Sequence, residues 1–258
     1  MGEMGSLEIR MSDGDAYVEV RPAPALRRFV ETLWVHRIVG PPPPEGRLLL
    51  PDGRVHFVWI AGLGLRIAGP ARQAMSPPSL DRLLAFGATF HPGAAPYLLR
   101  TPASELVDRH VHLDAIDPRF ATRLDDALSA ATDVRAGVAA FARQLARRID
   151  GTDDEPDPTV REAVALLDGA AVSVADAAAR TYVSERELQR RFVHDVGYAP
   201  KTLQRVLRFQ RFMGQLALPR AELAGAAAVA GYADQSHLSR EARRLTGLSP
   251  RQLVGYQH

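Results

Sequence analysis

The chain has no cysteine, a single lysine (Lys201) and only two tryptophans. Without cysteine there is no disulfide, no thiolate metal site and no cysteine nucleophile. No apolar run approaches the ~20 residues of a membrane-spanning helix, and the first residues lack the charged-then-apolar pattern of a secretory signal. The Gly-x-Ser-x-Gly elbow, the His-Glu-x-x-His zinc motif and the Walker loop are also missing. Gly62-Leu-Gly64 sits between strand-like stretches and opens no helix, so it is no dinucleotide loop. These absences leave no candidate catalytic residue and no cofactor to assign. They point to a cytoplasmic protein that binds rather than reacts.

What is present is a repeat. Shifted by fifty positions, Leu188 falls on Leu238, Arg190 on Arg240, Gly197 on Gly247, Pro200 on Pro250 and Leu203 on Leu253. The Ala-rich segments upstream, 174–178 and 223–227, match at an offset of forty-nine, so the second copy's turn is one residue longer. Each copy reads as a short helix, a tight turn and a second, capped, cationic helix, which is a helix-turn-helix. In the first, Ser184 and Glu187 have the spacing of a capping box. Leu188 and Phe192 share one face and can pack on Ala177, Ala178 and Val183. Arg186, Gln189, Arg190 and Val193 fall on the other side, and Arg and Gln are the side chains that read guanine and adenine edges in a major groove. In the second, Asp234 caps, Leu238 and Leu245 form the apolar pair, and Gln235, Ser236, His237, Ser239 and Arg240 remain for the outer surface.

Tyr182 to Phe192, Gly197-Tyr-Ala-Pro-Lys201, Gly231 to Arg240 and Gly247-Leu-Ser-Pro250 resemble the AraC/XylS family of transcription regulators. The resemblance implies two helix-turn-helix units joined by a long helix, about 200–216, binding double-stranded DNA. Carried over, it implies base reading by Arg186, Gln189, Arg190, Gln235, Ser236, His237, Ser239 and Arg240. Lys201, Arg205 and Arg208, on or beside the joining helix, are expected to contact phosphates. Tyr182 stands where the family commonly has glycine, so the first turn is expected to bend differently. Ala242 stands where the first copy has Phe192, so the second unit is expected to be the softer.

Net charge is +2 but unevenly placed. Residues 159–258 hold 14 basic residues against 9 acidic ones, whereas the first 158 hold 18 against 21. A basic module behind a mildly acidic one fits phosphate contact by the C-terminal part alone. At 258 residues with 46% hydrophobic content the chain has room for two domains.

The expected fold is α+β and multidomain. Residues 1–116 should form a β-rich, barrel-like (cupin-like) sensor or dimerisation domain, 117–150 a helical connector, 151–158 a linker and 159–258 the all-α DNA-binding domain. Strands are expected at 17–20, 33–39, 47–50, 54–60, 63–68, 83–90 and 111–113, with a short helix at 25–31 and a stiff extended loop at 41–44. Phe90 to Ala95 and Glu105 to Asp108 resemble a poorly characterised N-terminal domain of one branch of AraC-type regulators, and the cupin-like expectation follows by analogy. Helices should run 117–128 and 134–149, and Thr159 should cap the first helix of the last domain.

Trp34, His56, Trp59 and Phe90 are the candidates for lining a small-molecule pocket, against the plainer reading that such aromatics are core. His110 and His112 lie on one face of a strand, but without a third ligand they read as partly solvated histidines and no metal is assigned. The implied partners are DNA, a small-molecule effector, a second copy in a homodimer and, for an activator, RNA polymerase. An enzyme with a helical docking domain is the rival reading. An AraC-like DNA-repair methyltransferase would need the cysteines that are missing, and a protein-docking module would not call for Arg, Gln and Arg at 186, 189 and 190.

Overall fold

The computed structural model describes residues 6–10, 16–40, 47–77, 82–169 and 172–254. The N-terminal half is built on strands β1 (Ser6–Arg10), β2 (Ala16–Val20), β3 (Val30–Ile38), β4 (His56–Ile60), β5 (Gly64–Ala68), β6 (Leu83–Phe90) and β7 (His110–His112). They form one seven-stranded sheet in the order β1-β2-β3-β6-β4-β5-β7, antiparallel throughout. The sheet is open and not the closed barrel expected: β1 and β7 are its two edges among the described residues.

Alternation divides the sheet into two faces of opposite character. Val35, Phe86, Trp59 and Leu65 lie opposite one another along one row, as do Leu33, Ala88, Phe57 and Ile67 along the next, and all are buried. Helices α1 (Ala95–Leu99), α2 (Pro118–Ser129) and α3 (Val134–Asp150) cover this face. Phe120, Leu124 and Leu128 of α2, with Phe141, Leu145 and Ile149 of α3, join the core of the sheet, so the connector helices share its hydrophobic cluster. Side chains at this depth each contribute roughly 1.5–3 kcal/mol. The other face carries Tyr17, Glu19, Trp34, His36, His56, Arg66 and Thr89, mostly half-buried.

Several local expectations are corrected. The helix expected at 25–31 is a 3-10 turn, Pro24–Leu26, and the chain enters β3 at Val30. Leu26, Phe29 and Val30 are buried as a helical spacing requires, but the β-branched run that follows pairs with β6 from Phe90 onward. Residues 47–50 make a single bridge, Leu49 with Met75, and no strand, because Leu50 packs instead on the C-terminal helices. The short α1 follows a stretch that reads only as turn punctuation. Asp157, not Thr159, caps the next helix: its carboxylate accepts from the Thr159 N–H at 2.8 Å, and Pro158 takes the first helical position. The loop expected at 41–44 lies outside the described residues.

The C-terminal part comprises α4 (Pro158–Asp168), α5 (Val174–Arg180), α6 (Glu185–Asp195), α7 (Pro200–Leu216), α8 (Leu223–Ala230), α9 (Gln235–Thr246) and α10 (Pro250–Leu253). Two cores hang on α7. Leu203 and Leu207 join Ala177, Ala178, Leu188 and Phe192 in the first. Val206, Phe209, Phe212 and Met213 join Ala227, Tyr232, Leu238 and Ala242 in the second. One helix buried on two sides therefore fixes how the two units stand to each other.

The two halves meet along a seam that engages both units. Gln210 on α7 donates to the Pro51 carbonyl at 2.7 Å, and Leu50 packs on the second core. The Leu245 carbonyl accepts from the Ala74 N–H at 2.6 Å, while Val107 packs on the first core. Tyr97 on α1 donates its hydroxyl to the Asp195 carboxylate at 3.1 Å.

Candidate nucleic-acid interface

The two turns are built alike in spite of their sequences. Tyr182 adopts a left-handed conformation, φ 57°, and its counterpart Gly231 has φ 85°. The first turn thus bends as a glycine turn does, at the strain a side chain adds there. The Tyr182 ring is 95% exposed, so it contributes almost no packing in return. From the left-handed residue to the helix cap the second turn is one residue longer, and Tyr232 stands where the first turn has Val183: their N–H groups donate to the Ala227 and Ala178 carbonyls at 3.0 and 3.1 Å. The Tyr232 ring is buried, edge-on to Phe212, in the cluster that holds Ala242. The ring, where the first unit has only Val183, supplies bulk that Ala242 withholds, and Ala242 itself is 0% exposed.

Each outer helix is capped by its own side chain. Ser184 accepts from the Glu187 N–H at 3.1 Å and Asp234 from the His237 N–H at 2.6 Å. The reciprocal half of the box at Ser184 is replaced by ion pairs. The Glu187 carboxylate accepts from Arg190 at 2.7 and 2.9 Å and from Arg191 Nε at 2.8 Å. Hydrogen bonds from these two guanidiniums hold its pKa at about 2, below the usual 4.5. Arg191 continues to Asp157 at 2.9 Å and so ties α6 to the cap of α4.

With Leu188 and Phe192 at 0% exposure beneath it, α6 presents Arg186, Gln189 and Arg190 together on its exposed side. The Arg190 side chain is 72% exposed although paired with Glu187, a pairing that solvent screens. On α9, Gln235, Ser236 and Arg240 are exposed and Ser239 is half-buried. His237 is turned elsewhere. Its ring meets Tyr232 edge-on at 5.2 Å, and Nε2 lies 3.4 Å from the buried Glu241 carboxylate.

The three cations expected at phosphates differ in freedom. Lys201 is exposed and donates to Gln204 at 2.9 Å. Arg205 is half-buried beside Thr202. Arg208 is drawn inward: its guanidinium lies 3.7 Å from Glu241 and 5.7 Å from the centre of the Tyr232 ring. With Tyr232 donating to Glu241 at 3.3 Å, Arg208, His237, Tyr232 and Glu241 form a polar network that locks α9 to α7. Burial and Glu241 push the Tyr232 hydroxyl well above its ordinary pKa, so it stays a donor. Sequence reasoning missed this network. Its one signal was a carboxylate at 241, a turn beyond His237 and beside the apolar Leu238.

The four residues proposed for a ligand pocket do not share a face. Trp59 and Phe90 are core residues, and the Trp59 N–H donates to Asp125 at 2.7 Å. Trp34 and His56 lie on the polar face, where both reach Thr89 Oγ1, at 3.2 and 3.1 Å. His110 and His112 stand on the edge strand opposite Ala68 and Arg66.

Two helix-turn-helix units on one connecting helix, each with cations and amides or hydroxyls on its exposed side, define a double helix-turn-helix DNA-binding protein. Residues 161–255 match the family model described as a helix-turn-helix domain, and this C-terminal domain is of the AraC type. The chain is a DNA-binding transcriptional regulator. Residues 18–112 match a model described as a domain of unknown function. No curated protein matches the chain. Among solved structures it is similar to the C-terminal domain of AraT, a response regulator from Geobacillus stearothermophilus, at 20% identity over 40% of this chain and 93% of that one, TM-score 0.36. It is also similar to unsaturated fatty acid-bound ToxT from Vibrio cholerae, at 9% identity over 95% and 97%, TM-score 0.47. CdpR from Pseudomonas aeruginosa matches at 17% over 98% and 72%, TM-score 0.34. Among the described residues no helix is long and apolar enough to cross a membrane.

Proposed function

We propose that the chain is a sequence-specific cytoplasmic regulator whose two outer helices read successive major-groove faces of double-stranded DNA, roughly 34 Å apart. The observation that carries the reading is the joint exposure of Arg186, Gln189 and Arg190 on α6 and of Gln235, Ser236 and Arg240 on α9, over apolar undersides fixed to one helix. Lys201 and Arg205 position the protein on phosphates. Arg208 and His237 act through the Glu241 network by holding α9 in place.

The N-terminal residues, about 1–116 with the helices of 117–150, form the sensor, joined through 151–158 to the DNA-binding domain at 159–258. A small molecule bound there shifts DNA affinity through the seam, since the loop at Pro51, just before β4, accepts a hydrogen bond from Gln210 on α7. A homodimer and, for activation, contact with RNA polymerase complete the partners. Selection of bound sequences from a random DNA pool by the purified full chain tests the reading. It should return a site with two half-elements about one helical turn apart, bound with affinity that falls steeply with salt. Recovery of no preferred sequence, or affinity indifferent to salt, would defeat it.

A further inference from the structure

On the sheet face that the helices leave uncovered, one cation, Arg66, has no counter-charge among the described residues. Register places Glu19, Trp34, Gly87, Val58, Arg66 and His112 directly opposite one another across six strands, all on the same side. The Trp34 indole lies over Gly87 so closely that a Cβ there would meet the ring at 2.1 Å. The glycine is what allows the ring to lie on the sheet. Three strands away on the same row stands Arg66, next to Val58 in register, with about 14 Å between the Trp34 and Arg66 backbones at ordinary strand spacing.

Arg66 is half-buried, its Nε is shielded from solvent without a hydrogen-bond partner, and it forms no ion pair among the described residues. The acids nearby are already used. Glu19 accepts from Tyr17 at 3.2 Å at the far end of the row. Asp52 is held by His56 at 2.9 Å and by the Arg54 backbone N–H. Partial burial first, then the neighbouring Arg66 and His56, lower the pKa of His110 from its ordinary value.

Resting on the reading of the N-terminal half as a sensor, we propose that this face binds a small organic anion with a flat apolar body. Its oxyanion accepts from the Arg66 guanidinium, and its body lies over Val58 against Trp34. A planar donor fork prefers a carboxylate-like acceptor, and an indole held against the sheet by Gly87 and the bond to Thr89 offers an apolar ring surface. The same site adjoins the lever of regulation. His56 holds Asp52, while the neighbouring Pro51 carbonyl and Gly53 contact Gln210, Leu203 and Tyr198 of the DNA-binding part.

The test uses the full chain and phenylacetate as probe, with phenylacetamide as its uncharged match and cyclohexylacetate as its non-planar one. Binding is followed by calorimetry and by tryptophan emission, with Trp34→Phe to assign the signal. Phenylacetate should bind at least roughly ten-fold more tightly than the amide, as a charge-assisted fork allows, and more tightly than cyclohexylacetate. Arg66→Gln should bring the acid down to the level of the amide, and Arg66→Lys, which keeps the charge but not the fork, should fall between. Equal binding of acid and amide, no binding of phenylacetate, or an acid preference that survives in Arg66→Gln would each overturn the proposal. DNA binding by the same proteins separates the two readings. A lost anion site with DNA recognition intact sinks this inference alone, whereas anion binding without any DNA recognition sinks the regulator reading.

Discussion

Gly197 and Gly247 occupy sister positions in the repeat, and their difference measures the seam between the two halves. Both have positive φ, 96° and 76°, at the end of an outer helix. An added Cβ at Gly247 meets nothing within 4 Å. At Gly197 it would lie 2.7 Å from Val107 Cγ2, 2.9 Å from Pro70 Cγ and 3.0 Å from the Ala103 carbonyl oxygen, all in the N-terminal half. Gly247→Ala should cost only the conformational penalty, about 1–2 kcal/mol. Gly197→Ala should cost that plus overpacking of about 1–3 kcal/mol. Val107→Ala removes the nearest obstacle but leaves Pro70 and a backbone oxygen, so the double variant should recover part of the excess. Urea unfolding of the four proteins gives the numbers, and proteolysis of the 151–157 stretch shows whether the seam opens instead. Equal costs at the two glycines, with no change in cleavage, would refute a packed seam.

Further outcomes follow from the turns and the ion pairs. Tyr182→Gly should raise stability by about 0.5 kcal/mol or more, since left-handed strain is relieved and the exposed ring contributes little; a lower urea midpoint would count against it. Tyr232→Ala should cost about 3 kcal/mol and expose α9 to hydrogen exchange ahead of α6, whereas Tyr232→Phe should lose only the bond to Glu241. Because Glu187 has its pKa lowered to about 2 in the folded protein, its stabilising effect is present above the usual 4.5 and is lost as pH falls from there toward 2. Carboxylate titration by NMR should show the depressed value, and Arg190→Ala should raise it only part of the way, because Arg191 still donates.

The repeat was legible because it recurs at a fixed offset, and it carried the caps and the undersides with it, while the length of α7 came from the family resemblance. Burial of Leu188, Phe192 and Leu238 followed from helical spacing alone. Legibility failed where contacts are remote in sequence and made by small residues. Gly53 and Gly197 meet partners ninety or more positions away, and a glycine's neighbours leave no pattern. The two sheet faces were misjudged for a related reason. Trp34, Trp59 and Phe90 all alternate properly, but which parity faces the helices depends on strand order, with β6 inserted between β3 and β4. The helix expected at 25–31 failed because three buried positions suit a 3-10 turn running into a strand as well as a helix. His237 could not be assigned inward without Tyr232 and Glu241, which meet it only in the folded turn.

The central claim is that α6 reads bases while cations on α7 hold phosphates, and Arg190 and Arg205 test it together. Arg190 is exposed above the Leu188 and Phe192 underside, and its pairing with Glu187 is open to solvent. Arg205 is half-buried on α7 beside Thr202. Equilibrium binding of both alanine variants is measured on the selected DNA site and on every single-base change within it. Arg190→Ala should lose about 1–3 kcal/mol on the preferred site and relax preference at one base pair, while Arg205→Ala weakens all sequences about equally. An Arg190→Ala protein with unchanged base preference would contradict the account and leave Arg190 a surface partner of Glu187.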